Sequence, residues 1–275
     1  MENKVVLVTG ASSGIGFDTA VDLKNKGYIV YGAARRVDKL KELEAKGVKV
    51  IALDITDEES MTSCIEAIMK EEGKIDVLVN NAGYGSYGAV EDVSMEEARR
   101  QVEVNLFGLA RMTQLVLPSM RKNKFGKIIN ITSMGGKIHT PMGAWYHATK
   151  FAVEGFSDCL RMEVKGHGID VIVVEPGGIK TDWGIIAADN LKKTSGNGAY
   201  SSMANKLAEG FKDMYSTGKG LSKPTLISST IVKAVEAKNP KTRYLIGANA
   251  KPLLILKRLL SDKMYDKIVM KMMGV

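Results

Sequence analysis

Tyr146 and Lys150 stand four residues apart in a helix-like stretch. On a helix that spacing puts both side chains on one face. A phenol with an ordinary pKa near 10 is a weak base at neutral pH. An ammonium beside it favours the phenolate and lowers that value. The pair therefore reads as a proton donor and acceptor for an oxygen whose charge changes during a reaction. Ser133 lies thirteen residues before Tyr146, at the end of an apolar run. Its hydroxyl can donate to the same oxygen, as one arm of an oxyanion hole does. Taken singly, each has an ordinary structural explanation: a half-buried tyrosine, a surface lysine, a turn serine beside Gly135 and Gly136.

A second pattern sits at the start of the chain. Thr9-Gly10-Ala11-Ser12-Ser13-Gly14-Ile15-Gly16 follows an apolar run and opens a helical one. Glycines there let the backbone approach a pyrophosphate, and the helix N-terminus offers unpaired N–H groups. The next strand ends in Ala34-Arg35-Arg36. An NAD site places an acid near this point to hold the ribose 2′-hydroxyl. Two guanidinium groups in its place suit a 2′-phosphate, so the expected cofactor is NADP(H) rather than NAD(H). Asp38 is expected to cap the following helix.

Seven short apolar runs must position these groups: Val5–Thr9, Tyr28–Ala33, Val48–Leu53, Ile75–Val79, Lys127–Thr132, Ile169–Val174 and Arg243–Ile246. They are rich in Val and Ile and lack polar alternation, as strands buried on both faces do. Helical patterns separate them, two with capping boxes, Thr56 with Glu59 and Ser94 with Glu97. The expected fold is α/β, a single Rossmann-like doubly wound parallel sheet with helices on both faces. One catalytic domain is expected over 1–250, with a substrate-loop insertion at about 179–222, and an amphipathic extension at 251–275. The insertion, rich in Gly, Ser, Asn and Lys, reads as a lid. Trp183, Met203, Phe211, Met214 and Tyr215, with Met134, Met142 and Trp145, are candidates for an apolar substrate pocket.

The 275 residues carry a formal charge of +8. The extension holds six Lys/Arg against Asp262 and Asp266, a net +4 and half of that excess. No zinc-finger spacing or aromatic-interleaved basic patch accompanies the charge, so nucleic acid is not expected as a partner. The extension's apolar positions, Leu253, Leu256, Leu260, Ile268, Val269 and Met272, suit peripheral membrane contact. A helix that caps the pocket or packs in an oligomer is the favoured reading. Cys64 and Cys159 are far apart and without metal spacing, and both are expected as core hydrophobes. No metal is expected. No apolar run is as long as a membrane span, and the start of the chain does not resemble a secretion signal, so a cytoplasmic, reducing setting is expected.

These motifs, over residues 4–180, resemble the short-chain dehydrogenase/reductase family. The glycine loop has that family's TGxxxGIG form. Asn80-Asn81-Ala82-Gly83 matches NNAG, Tyr146 and Lys150 match YxxxK, and Pro176-Gly177 follows the sixth strand. The resemblance implies a catalytic set of Asn105, Ser133, Tyr146 and Lys150, with Asn105 fixing a water that links Lys150 to solvent. It implies that Lys150 also holds the nicotinamide ribose, that Asp54 and its neighbour Ile55 meet the adenine, and that Asn80 to Gly83 wall the adenosine side. It implies that Ile179 and Thr181 contact the nicotinamide amide. His147 lies beside the Tyr146 and Lys150 pair and is placed to touch substrate. The implied activity is hydride transfer between NADP(H) and a carbonyl/alcohol pair, in a homo-oligomer, and the composition of the apolar pocket suits a hydrophobic ketone, a steroid-like alcohol, a retinoid or a lipid carbonyl. The alternative is an NADP(H)-binding sensor or scaffold without turnover.

Overall fold

The computed structural model describes residues 3–275. Its seven strands are β1 (Val5–Thr9), β2 (Ile29–Ala34), β3 (Lys49–Ala52), β4 (Val77–Asn80), β5 (Gly126–Ile131), β6 (Ile169–Pro176) and β7 (Arg243–Ile246). They form one sheet in the order β3-β2-β1-β4-β5-β6-β7, and every pairing is parallel. Each lies within two residues of its expected bounds, because buried β-branched runs between turn residues mark strands locally.

Helices cover both faces. On one, α1 (Gly14–Asn25), α2 (Lys41–Ala45) and α9 (Pro224–Glu236) bury Val6 and Val8 of β1. On the other, α3 (Glu58–Glu72), α5 (Gly108–Lys122) and α6 (Ala144–Val164) bury Val5 and Leu7. Alternate residues of one strand thus feed two separate cores, which is why β1 reads as a continuous apolar run. The strand order reverses between β1 and β4. In a sheet of this kind, ligands bind outside the carboxyl ends of the strands at that switch.

Between β4 and β5, α4 (Met95–Val102) runs through a wide π-type turn, Glu103–Phe107, into α5. Residues 183–217 form a helical hairpin rather than a loop, α7 (Trp183–Ser195) packed on α8 (Ser201–Thr217). The extension is two helices, α10 (Ala250–Leu259) and α11 (Asp262–Met273), whose inner side packs on Ile138 and Met134.

Several local expectations are corrected. Asp57, not Thr56, caps α3, accepting from the N–H groups of Glu59 and Ser60. Its carboxylate stands immediately before Glu58 and reaches the first turn, and the Thr56 hydroxyl instead donates to Asp54. Ser94 does cap α4, but the Glu97 carboxylate accepts from the Tyr84 hydroxyl instead of closing the box. Asp38 lies inside a 3₁₀ turn, Val37–Leu40, and caps nothing. Cys64 is buried, whereas Cys159 is exposed on the outer side of α6.

Candidate active site

One cleft of about 1530 Å³ runs along the carboxyl ends of the central strands. Of the residues proposed from sequence for cofactor and catalysis, all but Gly16, Asn80 and Asn105 line it.

The glycine loop forms its floor at β1. Gly10 and Gly14 have φ of 65° and 57°, backbone that L side chains rarely adopt. A Cβ on Gly16 would stand 2.5 Å from the Gly10 carbonyl oxygen, so only glycine lets the loop fold back on α1. Ser13 precedes the first turn of α1 without capping it through its side chain, leaving those N–H groups at the cleft. Asn81 pins the loop: its Nδ2 donates to the carbonyls of Thr9 and Gly10 at 3.0 and 3.2 Å. Thr9 Oγ1 in turn accepts from the backbone of Asn81 and Ala82. Asn80 is buried away from the cleft, tying β4 to Thr113 and Asn130.

Arg35 and Arg36 are exposed at the cleft edge, joined by Lys39, which the sequence reading missed. Asp54 lines the cleft beside Ile55, but it is not free: its Oδ1 accepts from both the N–H and the hydroxyl of Thr56. Gly83, Pro176, Gly177, Ile179 and Thr181 line the stretch between this end and Tyr146.

Tyr146 and Lys150 emerge from one face of α6, both buried. Ser133 starts the short turn after β5 and accepts from the Gly135 N–H at 3.0 Å. Tyr146 does not behave as the spacing alone predicts. Burial pushes its phenol up to about 12, and the hydrogen bond with Ser133 only partly opposes this. Lys150 Nζ lies 6.0 Å from the ring centroid and donates to the Ile131 carbonyl at 3.0 Å. Burial pushes that ammonium down to about 8, opposed by the Glu154 carboxylate one turn along. Desolvation is the larger cause at both groups, opposed by Ser133 at the phenol and by Glu154 at the ammonium. The phenol is therefore held protonated.

Asn105 sits in the π-type turn, a distortion common at functional sites. Its side chain accepts from Tyr84 N–H and donates to Tyr84 O and Thr149 Oγ1, at 2.9–3.1 Å. It braces the loop after Gly83 against α6. His147 lines the cleft, yet both ring nitrogens are committed. Nε2 accepts from Thr140 N–H at 3.1 Å, which leaves Nδ1–H to donate to Gly135 O at 2.9 Å. Burial lowers its pKa, so the neutral ring holds the turn that carries Ser133.

Beyond Tyr146 the wall is aromatic. Its ring centroid is 5.7 Å from Tyr87 and 5.2 Å from Trp183, and Tyr87 meets Phe211 edge-on at 5.6 Å. Tyr215 stands 6.3 Å from Trp183. Tyr87 was not singled out from sequence, where only its nearness to Gly83 marks it. Met134 and Met214 also line this end, as do Leu253, Val269 and Met273 of the extension. Met142, Trp145 and Met203 do not. Met142 is buried in a left-handed turn with φ of 63°, its carbonyl accepting from Gly88 N–H.

Under α6 lies a charged cluster that sequence reading also missed. Glu154 accepts from Thr132 Oγ1 at 2.6 Å and is held by Lys137 and Arg243. Glu175 stands beside it, pushed up to about 7 by burial and the neighbouring carboxylate. The spacing of Glu154 four residues after Lys150 was the available signal.

Comparison with known proteins agrees with this geometry. A family model described as short chain dehydrogenase matches residues 4–190. A 3-ketodihydrosphingosine reductase of Bacteroides thetaiotaomicron is 37% identical over 247 residues, covering 90% of this chain and 89% of its own. An NADPH-dependent 3-dehydrocapnine reductase of Ornithobacterium rhinotracheale is 34% identical over 282 residues, covering 98% and 96%. The crystal structure of a short-chain dehydrogenase from Streptomyces avermitilis superposes with a TM-score of 0.80 at 33% identity, covering 94% of each chain.

Proposed function

The chain belongs to the short-chain dehydrogenase family, and on that premise we propose that it reduces the keto group of a long-chain, apolar substrate at the expense of NADPH. The observation that carries this reading is Tyr146 hydrogen-bonded with Ser133, at the junction of the glycine loop's cleft and an aromatic wall. Two relatives are named as reductases of 3-ketodihydrosphingosine and of 3-dehydrocapnine, the second as NADPH-dependent.

The chain's own groups suit the cofactor. The loop from Gly10 to Gly14 receives the pyrophosphate on backbone N–H groups. Arg35 and Arg36, with Lys39 beside them, receive the 2′-phosphate, and Lys150 the nicotinamide ribose. Bound NADPH supplies the hydride. Ser133 holds the substrate carbonyl oxygen by a hydrogen bond, and Tyr146 donates the proton as that oxygen gains charge. Lys150 restores favourable charge as the phenol empties. Asn105 acts as a positioning residue, keeping the Gly83–Tyr84 loop against α6.

Trp183, Phe211, Met214 and Tyr215 exclude water and offer an alkyl chain an apolar path. Exposed Phe107, Phe151 and Met162 on the α5–α6 side suit a homo-oligomer contact, which light scattering checks. The free thiols Cys64 and Cys159 suit a reducing compartment.

The deciding measurement is NADPH oxidation with 3-ketodihydrosphingosine against a short, polar ketone. Turnover of the long-chain ketone at a much lower KM supports the reading. Preference for the short ketone overturns the substrate assignment, and no turnover with any ketone overturns the reaction.

A further inference from the structure

The two C-terminal helices are apolar on both sides. Their inner side packs on Ile138 and lines the cleft through Leu253, Tyr265 and Val269. On the outer side of α10, Lys251, Ile255, Arg258 and Leu259 follow at helical spacing on one face, and all are exposed. Ile255 is 56% and Leu259 78% exposed, far more than isolated apolar surface residues need be. On α11, Met264, Lys267 and Lys271 share a face in the same way, with Met264 55% exposed.

The charges on this side are uncompensated. Among the described residues, Lys251, Arg258, Lys263, Lys267 and Lys271 form no ion pair. The two carboxylates nearby are already engaged, Asp262 with Lys257 and Asp266 with His139. Apolar side chains flanked by unpaired cations on a helix face match an anionic lipid surface. There the side chains enter the acyl boundary and the cations meet headgroups. A second copy of the chain is the poorer occupant, because a two-fold contact would set the same cations against one another.

We propose that the outer face of α10 and α11 docks the protein on an anionic lipid surface, with the cleft mouth at the interface. Met272 links the two features: it lines the cleft and is 64% exposed. A lipid ketone would then pass from the bilayer to Tyr146 along Met272 and Leu253 without crossing water. That consequence rests on the proposed reduction; the docking itself does not.

The test is co-sedimentation of the full chain with phosphatidylglycerol-containing vesicles and with phosphatidylcholine vesicles, at low and high salt. Binding to the anionic vesicles alone, weakened by salt, is expected. Each basic residue near such a leaflet contributes roughly fivefold to partitioning. The double variant Ile255→Asp/Leu259→Asp removes the apolar anchors, and Lys251→Glu/Arg258→Glu reverses two charges. Each should lower partitioning at least tenfold, with unchanged circular dichroism and NADPH affinity. Wild-type protein that stays in the supernatant overturns the proposal, as does salt-insensitive binding to both vesicles or wild-type binding by the variants. A change in oligomer mass in the variants, with no vesicle binding by the wild type, assigns the face to a second copy and likewise overturns it. Because vesicle binding needs no turnover, failure of the reductase reading leaves this result distinguishable.

Discussion

Replacing Tyr146 with Phe removes one oxygen and leaves the packing in place. The ring keeps its contacts with Tyr87, Trp183 and His147. The lost hydrogen bond to Ser133 is offset by no longer burying a hydroxyl, and Ser133 still accepts from Gly135 N–H. Stability should therefore change by about 1 kcal/mol or less. The proton has no second source close by. Both nitrogens of His147 are committed to Thr140 and Gly135. Lys150 donates to the Ile131 carbonyl, and its Nζ lies 6.0 Å from the Tyr146 ring centroid. With no substitute acid, the loss should lie inside the usual range for a positioned acid, about 10³-fold, or ~4 kcal/mol on the barrier. The assay is steady-state NADPH oxidation with the ketone substrate, alongside fluorescence titration of NADPH and thermal melting. A folded variant that binds NADPH like the wild type and keeps more than about a tenth of its turnover would refute the assignment of Tyr146 as donor.

The pH profile of reduction should be flat near neutrality and fall as pH rises through about 8, where Lys150 loses its charge while Tyr146, at about 12, stays protonated; a profile flat to pH 10 contradicts this. Through the same lysine, folding stability should rise with pH between about 8 and 10.5, because the unfolded chain binds the extra proton in that window; chemical denaturation at several pH values, with Lys150→Met as control, checks the sign. Arg35→Ala/Arg36→Ala should weaken NADPH binding at least tenfold, ~1.4 kcal/mol, and leave NADH binding nearly unchanged; equal losses for both cofactors in titration contradict the 2′-phosphate role. Lys127 Nζ donates to the carbonyls of Ala234, Val235 and Ala237 at the end of α9, so Lys127→Met should cost about 2 kcal/mol and lower Tm by about 4–8 °C; an unchanged melting curve contradicts that capping role.

Much of this molecule is written in short stretches of chain. The strands are legible because burial on both faces demands unbroken runs such as Val5–Val8, and the phosphate loop because Gly10 and Gly14 need left-handed backbone. Tyr146 and Lys150 share a face for the same local reason, the pitch of one helix. What each group does there was decided by neighbours remote in sequence. Spacing predicts that Lys150 lowers Tyr146, yet burial under Tyr87 and Trp183 raises it, and Ile131 takes the ammonium's hydrogen bond. Asp54 is legible as a candidate, but its commitment to Thr56 depends on how the turn after β3 closes. Trp183, Phe211 and Leu253 come from three distant helices and meet only because α7, α8 and α10 fold over one cleft. Periodicity and backbone chirality act over a few residues and can be read along the chain. Desolvation, charge pairing and cavity shape are sums over everything packed nearby, and only the folded chain defines those neighbours.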